Sequence, residues 1–143
     1  MGWLAEQPNT IFIGQAVGCN GTGMSNTLKH VSIDKRIEFP VVEDMQMGMS
    51  IGMALDGSMI PISIFPRWNF MLLATNQLVN HLNNIPLMAN DSYKPKIIIR
   101  VGIGAERPLH PQHQHVGDYS DVFKVMCPNI NIVRLDDPKD IVP

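Results

Sequence analysis

Short apolar runs alternate with longer helical patterns along this chain of 143 residues. The apolar runs predict strands at 9–14, 36–40, 59–65, 94–101 and 129–135. The helical patterns cover a stretch that begins near Met24 and the ranges 43–57, 68–85 and 118–126. Most strand runs are continuously apolar, which is typical of parallel strands covered on both faces. The alternation therefore predicts one doubly wound α/β domain, with a mainly parallel sheet of five or six strands and helices on both faces.

Three chemically distinctive places follow predicted strands directly. Glu43 comes after the run at 36–39, the aromatic segment 68–70 comes after 59–65, and a histidine-containing loop at 102–117 comes after 94–101. In doubly wound folds, ligands meet the loops at the carboxyl ends of the strands. We therefore expect these three places to converge on one edge of the sheet.

The composition narrows the classes of partner. Hydrophobic residues make up 45% of the chain and charged residues 17%, which predicts an apolar surface and subunit contacts. The net charge of −2, without a cluster of Lys or Arg, argues against nucleic acid. No apolar run reaches the length of a membrane span. Since the start shows no signal-peptide pattern, Cys19 and Cys127 are predicted to be reduced thiols in a cytoplasmic protein.

Two adjacent carboxylates, Glu43 and Asp44, lie in the apolar stretch "FPVVEDMQMG" at 39–48. A buried carboxylate is costly unless it is hydrogen-bonded or paired. One interpretation is a helix start, where the helix dipole favours acidic side chains. Asp44 fits that interpretation well. Glu43 fits it less well, because it directly follows an apolar strand at the predicted ligand edge, and it is the candidate for a working acid.

Two further motifs have a plain and a functional interpretation. The stretch "GCNGTG" at 18–23 lacks the full dinucleotide fingerprint and a Walker lysine, which favours a tight turn over a phosphate loop. His110, His113 and His115 could bind zinc, yet no carboxylate or cysteine lies at helical ligand spacing and Pro111 breaks a helix. One or two histidines at a polar active-site edge are the favoured interpretation.

The predicted helix 43–57 contains Gly48 and Gly52, which lie four residues apart on one face. Glycine inside a helix costs about 1 kcal/mol relative to alanine and often marks the close approach of another backbone. We therefore predict self-association through this face. The methionines around it are predicted to pack in the core; they are Met45, Met47, Met49 and Met53. In "RWNF" at 67–70, core packing and a stacking role for one ring both stay open.

Taken in order, these motifs resemble the pyrimidine-binding domain of thiamine-diphosphate enzymes, within the transketolase-like superfamily. They are most similar to the E1 beta subunit of 2-oxoacid dehydrogenases of the pyruvate type. "IFIGQAVG" resembles the family's "FLLGEDVG", and "FPVVEDMQMGMSIGMAL" resembles "TPISEAGIVGAAVGAAL". "WNFMLLATNQLVN" resembles the family's helix that begins with an aromatic, a polar residue and Phe, and "PQHQH" resembles "PQHSQ". The likeness runs from about Ile11 to the C-terminus.

The resemblance implies roles for individual residues. Glu43 would contact N1′ of the cofactor's aminopyrimidine and share a proton with it, which activates C2 of the thiazolium; a low-dielectric pocket strengthens that hydrogen bond. Phe70 would stack on the pyrimidine ring. Trp68 and Gln15 would also lie among the cofactor-binding residues, although the family has an acid where this chain has Gln15. His113 would face the substrate, with His115 as the second choice.

The family's "GDG…N" motif for diphosphate and magnesium is absent from this sequence. The resemblance therefore implies that thiamine diphosphate is shared with an alpha-type subunit that holds the diphosphate and Mg²⁺. Residues 1–143 are interpreted as one transketolase-like pyrimidine-binding domain, without the C-terminal domain of a full beta subunit. The predicted function is a beta-like component acting on a 2-oxo acid. The alternatives are a component of a transketolase-like carbohydrate enzyme and a non-catalytic interaction domain that retains the fold.

Overall fold

The computed structural model describes residues 1–104 and 110–141. The strands are β1 (Thr10–Gly14), β2 (Arg36–Glu38), β3 (Ile60–Phe65) and β4 (Ile98–Val101). The α-helices are α1 (Gly2–Glu6), α2 (Gly23–Asn26), α3 (Glu43–Leu55), α4 (Trp68–Met71), α5 (Ile85–Met88) and α6 (Ser120–Met126). Single 3₁₀ turns lie at Ile33–Lys35, Leu72–Ala74, His113–His115 and Pro138–Ile141, and a π-helical segment lies at Gln77–Leu82.

The four strands form one sheet in the order β2-β1-β3-β4, and each neighbouring pair is parallel. From β1 the chain moves outward to β2 and then crosses to β3 on the other side of β1. The strand order therefore reverses between β1 and β3, which is the point where doubly wound sheets open a crevice at their carboxyl edge. The predicted α/β doubly wound fold is confirmed.

Each face of the sheet has its own hydrophobic core. The first core joins β1 and β3 to the region around α2, and its buried members are Phe12, Val17, Leu28, Val31, Ile62 and Ile64. The second core lies under α3, the helical segment after β3 and α6, and its buried members are Met47, Ile51, Phe65, Trp68, Met71, Ala74, Leu78, Leu82, Phe123 and Cys127. Because successive residues of β3 face opposite sides of the sheet and both sides are covered, the strand is apolar except for the buried Ser63.

The prediction of a last strand at 129–135 was wrong, and the described residues form four strands rather than five or six. The start of this segment is held elsewhere: the Asn129 N–H donates to Asn83 Oδ1 at 2.9 Å, and Asn129 Nδ2 donates to the Asn83 carbonyl at 3.0 Å. Ile130 and Ile132 still pack against the second core. The segment thus buries apolar side chains without a ladder to β4.

The helix predicted over 68–85 is present as a series of differently wound turns. In its π-helical part the Asn83 N–H bonds to the Leu78 carbonyl at 2.9 Å, which is five residues back. The Asn84 side chain donates to the Val79 carbonyl at 3.2 Å, and Pro86 brings no N–H to the next turn. Side-chain amides therefore satisfy carbonyls that a regular helix would satisfy through its backbone. Within the described residues, no helix is both long and apolar enough to span a membrane.

The methionines of α3 divide between core and surface. Met47 is fully buried, as predicted, whereas Met45 is 54% exposed and Met49 is also exposed, so the core prediction was wrong for these two. A Cβ added at Gly48 would lie 3.6 Å from the Gln77 side chain, whereas a Cβ at Gly52 would meet open space. Self-association through the Gly48/Gly52 face stays a prediction.

Candidate functional site

The adjacent carboxylates at the start of α3 have opposite environments. Glu43 is the first residue of the helix and is only 3% exposed. Its Oε1 accepts a hydrogen bond of 2.9 Å from Gln15 Nε2, and its Oε2 has no partner among the described residues. Asp44 is exposed, and its one hydrogen bond within the described ranges is a long contact of 3.4 Å from Gln77 Nε2. Glu43 is therefore a buried carboxyl with one oxygen held in place and one available.

Gln15 reaches Glu43 from the turn that follows β1. This turn begins at Gly14, where an added Cβ would lie 2.2 Å from the Ile64 carbonyl oxygen, so only glycine permits β1 and β3 to approach so closely here. After Gln15, the N–H groups of Ala16 and Gly18 donate to Glu38 at 2.7 and 2.6 Å. The Gly-rich stretch then ends at α2, where Thr22 and Ser25 form a capping box.

Beneath Glu43, one turn further along α3, lies the fully buried amide of Gln46. Its Nε2 donates to Ser63 Oγ at 3.0 Å, to the Ile64 carbonyl at 3.1 Å and, more weakly, to the Ile13 carbonyl at 3.4 Å. This amide ties the first turns of α3 to the ends of β1 and β3. Its Oε1 has no hydrogen-bond partner among the described residues. Nothing in the local sequence pattern predicts this burial, because a glutamine in a helix is usually a surface residue.

The second side of the candidate site is formed by α4 and the segment after β4. The rings of Phe70 and His115 have centroids 5.2 Å apart with an interplanar angle of 43°. Arg67 Nη1 donates to the His115 carbonyl at 3.0 Å, which fixes the backbone of that segment. His115 Nδ1 is buried without a hydrogen-bond partner among the described residues, whereas His113 is exposed. The structure thus brings the second-choice histidine, and not His113, against Phe70.

Trp68 packs in the hydrophobic core, which is one of the two roles left open for the aromatic residues of "RWNF". Its side chain is 6% exposed and stacks on Phe123, with ring centroids 4.8 Å apart and an interplanar angle of 26°. This placement gives no support to a cofactor contact for Trp68. The next residue, Asn69, donates from Nδ2 to the Tyr119 hydroxyl at 3.4 Å, and its Oδ1 is buried without a partner among the described residues.

The histidine loop predicted at 102–117 falls partly outside the described residues, since 105–109 are not described. His110 accepts a hydrogen bond of 3.0 Å at Nδ1 from the Gln112 N–H. Across the described ranges, no group of three or more His, Cys, Asp or Glu side chains is arranged to hold a metal ion. Cys19 is exposed and Cys127 is buried, and both are free thiols.

Comparison with known proteins adds a family context to this geometry. No family model matches the chain. It is 30% identical over 113 residues to the pyruvate dehydrogenase E1 component subunit beta of Cyanidium caldarium, an alignment that covers 77% of this chain and 34% of that protein. A similar identity of 30% over 137 residues links it to the subunit of the same name from Gracilaria tenuistipitata var. liui, covering 93% and 41% of the two chains. The chain is thus similar to E1 beta subunits, at about 30% identity.

The similarity covers most of this chain but only part of each relative. The chloroplastic E1 subunit beta-3 of Oryza sativa subsp. japonica is 30% identical over 113 residues, and the alignment covers 77% of this chain and 29% of that subunit. The chain therefore spans about a third of the length of the curated relatives it matches, with 34% for the Cyanidium caldarium subunit. The comparison supports the resemblance at the level of the family.

Proposed function

We propose that this E1 beta-like domain is the pyrimidine-binding component of a thiamine-diphosphate-dependent enzyme that acts on a 2-oxo acid. The observation that carries the proposal is Glu43. It is a buried carboxyl beside the turn that follows β1, where the strand order reverses, with Oε1 held by Gln15 and Oε2 without a protein partner among the described residues. An enzyme of this class needs such a group, because one carboxyl oxygen must share a proton with N1′ of the cofactor.

The residues present fit that cofactor. When bound, thiamine diphosphate supplies an aminopyrimidine that accepts a proton at N1′ and a thiazolium carbon that acts as the nucleophile. Glu43 would hold the shared proton on Oε2, while Gln15 keeps Oε1 from rotating away. Burial of Glu43 excludes competing water and strengthens the hydrogen bond.

Phe70 and His115 would complete this half of the site. Phe70 is half-buried at the start of the helical segment after β3, and a ring stacked on it gains about 0.5–1.5 kcal/mol. His115 contacts Phe70 and has a buried nitrogen without a protein partner among the described residues. We therefore propose His115 as the histidine that faces the substrate and donates to its carboxylate or developing oxyanion. His113, which is exposed, becomes the second candidate.

The proposal includes an alpha-type partner that holds the diphosphate and Mg²⁺. The hydrogen bond to Glu43 contributes roughly 1.5–3 kcal/mol, and stacking on Phe70 adds about 0.5–1.5 kcal/mol. Together, these two contributions barely offset the free-energy cost of the translational and rotational freedom that is lost on association. We therefore expect binding by the chain alone to be no tighter than about millimolar, which corresponds to roughly 4 kcal/mol. A cytoplasmic location and contact between copies through the Gly48/Gly52 face remain part of the same proposal.

Titration calorimetry and turnover assays test the proposal. Thiamine diphosphate with Mg²⁺ is titrated into the chain alone and into the chain mixed with an E1 alpha subunit, and decarboxylation of pyruvate is then followed. The expected result is weak binding and no turnover for the chain alone, with both restored by the partner. Micromolar binding without a partner would contradict the shared site. Turnover with ketose phosphates in place of pyruvate would favour the transketolase-like alternative, and no binding in either sample would favour a non-catalytic domain.

A further inference from the structure

We propose that Glu38 is a positioning residue whose carboxylate holds the turn after β1 in the one conformation that lets Gln15 bind Glu43. The inference rests on the proposed function, because Glu43 is the carboxyl that this arrangement would serve. Glu38 itself is exposed at the end of β2 and makes no described contact with Glu43. Its effect would pass through the backbone of residues 15–18.

Each carboxylate oxygen of Glu38 accepts a hydrogen bond from a different N–H group of the turn. Oε1 accepts from the Ala16 N–H at 2.7 Å, and Oε2 accepts from the Gly18 N–H at 2.6 Å. Both are short hydrogen bonds to a charged acceptor, which are stronger than bonds between neutral groups. No cation pairs with Glu38 among the described residues, so these two amides are its partners there. A single side chain thereby fixes two N–H groups that the sheet ladder leaves free.

The turn needs such a restraint because Ala16 has a φ of 59°. This left-handed conformation brings the alanine Cβ too close to the following carbonyl oxygen, and non-glycine residues adopt it only where their surroundings enforce it. The Ala16 N–H belongs to the peptide group that joins Gln15 to Ala16, so a bond to this N–H fixes the backbone on the C-terminal side of the Gln15 Cα. The carboxylate of Glu38 bonds the N–H of this same strained residue.

The register of the sheet explains why Glu38 can do this. β1 and β2 pair in parallel with Gly14 opposite Glu38, so the carboxylate ends beside the turn that begins at Gly14. Gly18 completes the fit: an added Cβ would lie 3.1 Å from the Glu38 Cβ and 3.3 Å from Oε2. A side chain at residue 18 would therefore press on the carboxylate. Glu38 therefore contacts the turn, the turn carries Gln15, and Gln15 Nε2 donates to Glu43 Oε1 at 2.9 Å.

Nuclear magnetic resonance of the full chain, ¹⁵N-labelled and without cofactor, tests the inference. In Glu38→Gln, the Ala16 and Gly18 amides should exchange with solvent roughly 10-fold faster or more, since hydrogen bonds to a charged acceptor are lost or weakened. The side-chain amide resonance of Gln15 should move toward that of an unbonded glutamine. Glu38→Asp, which keeps the charge, should restore part of both signals. Asp34→Asn, at an exposed acid without a described hydrogen bond, is the matched control and should change neither.

The Gln15 resonance is the deciding readout, because a residue that only caps the turn would not move it. Faster exchange of the two backbone amides with an unmoved Gln15 signal would overturn the inference. If Glu38→Gln does not fold, Gly18→Ala takes its place, since the added Cβ crowds the same carboxylate. An unmoved Gln15 signal in that variant would equally overturn it. Failure of the proposed function would look different: Glu43→Gln would leave C2 exchange of bound cofactor unchanged in the complex, whatever the Gln15 signal does.

Discussion

The two sides of the candidate site differ in how their polar atoms are satisfied. On the Glu43 side, formed by Gln15, Ala16, Glu38 and Glu43, short hydrogen bonds join the carboxylates to the turn after β1. On the Phe70 side, formed by Asn69, Phe70, His115 and Tyr119, the described residues leave Asn69 Oδ1 and His115 Nδ1 buried without a partner. A buried unsatisfied polar group costs roughly 1–3 kcal/mol. The first side is held by these hydrogen bonds and leaves only Glu43 Oε2 open among its described carboxylate oxygens, whereas the second side leaves two buried polar atoms open to a ligand or a partner.

This contrast agrees with a shared cofactor site. A group that must hold a proton at a defined atom benefits from being fixed before the cofactor arrives. On a side that faces the substrate and another subunit, internal hydrogen bonds would have to break before binding, and this would weaken the binding.

The first prediction separates core from site within α4. Trp68→Ala should lower the free energy of unfolding by about 3–5 kcal/mol, because it removes a buried ring that stacks on Phe123. Phe70→Ala should cost clearly less, because Phe70 is only half-buried. Urea denaturation of the chain measures both values. An equal loss in the two variants would mean that Phe70 belongs to the core and is not available to a cofactor.

The second prediction concerns the histidines of the Phe70 side. In the complex with an E1 alpha subunit, His115→Ala should reduce turnover by roughly 10²–10³-fold, the usual effect of losing one donor to a developing oxyanion. His113→Ala is the matched variant and should have little effect, because His113 is exposed. Steady-state turnover with pyruvate distinguishes them. The reverse order would restore His113 as the functional histidine.

The third prediction tests the preorganisation of Glu43. Gln15→Leu should destabilise the chain by roughly 1.5–3 kcal/mol at neutral pH, since it removes the amide donor from a buried carboxyl. Gln77→Leu removes an amide from the exposed Asp44 and should change stability by less than about 0.5 kcal/mol. Chemical denaturation compares the pair. Similar small losses would show that Glu43 does not depend on Gln15.

The smallest effect is expected at Asp118, whose contacts with Ser120 and Arg134 hold the segment that follows His115. The hydroxyl and then the backbone N–H of Ser120 lower the pKa of Asp118, and the Arg134 guanidinium adds to this. A lowered carboxyl pKa contributes stability above the unfolded value, about 3.9, and this contribution is lost as the pH falls through the folded value. Asp118→Asn should therefore cost at most about 1 kcal/mol at pH 7, and less in acid. A difference that grows toward acid pH would contradict this assignment.

How much the sequence could predict depended on the kind of interaction. Apolar runs located β1 and β3 most clearly, because burial on both faces leaves a strong pattern. β2 and β4 were also located, although both contain an arginine and neither is fully buried. The strand predicted at 129–135 failed because bonds from Asn129 to Asn83, which a local pattern does not encode, hold that segment. Glu38 and Gln46 were missed for a related reason. Their partners follow from the register of β1 beside β2 and β3 and from the docking of α3, and both are tertiary properties.

A signal for Glu38 was nevertheless present in the sequence. It is an acid at the end of a strand, and a parallel neighbour is expected to end in a Gly-rich turn with free N–H groups. Such a pairing of carboxylate and turn can be sought once strand order is assumed. The choice of His115 over His113 had no comparable signal, since the two histidines lie two residues apart in the same loop and only the packing against Phe70 separates them.

The central claim is that Glu43 shares the proton that activates the cofactor. The most direct measurement is hydrogen–deuterium exchange at C2 of thiamine diphosphate bound to the complex of this chain with an E1 alpha subunit, in the unmodified chain, Glu43→Gln and Asp44→Asn. The account predicts a fall of roughly 10²-fold or more for Glu43→Gln, because an amide cannot share the proton. It predicts no change for Asp44→Asn, whose side chain is exposed. Unchanged exchange in Glu43→Gln, or an equal fall in both variants, would contradict the claim.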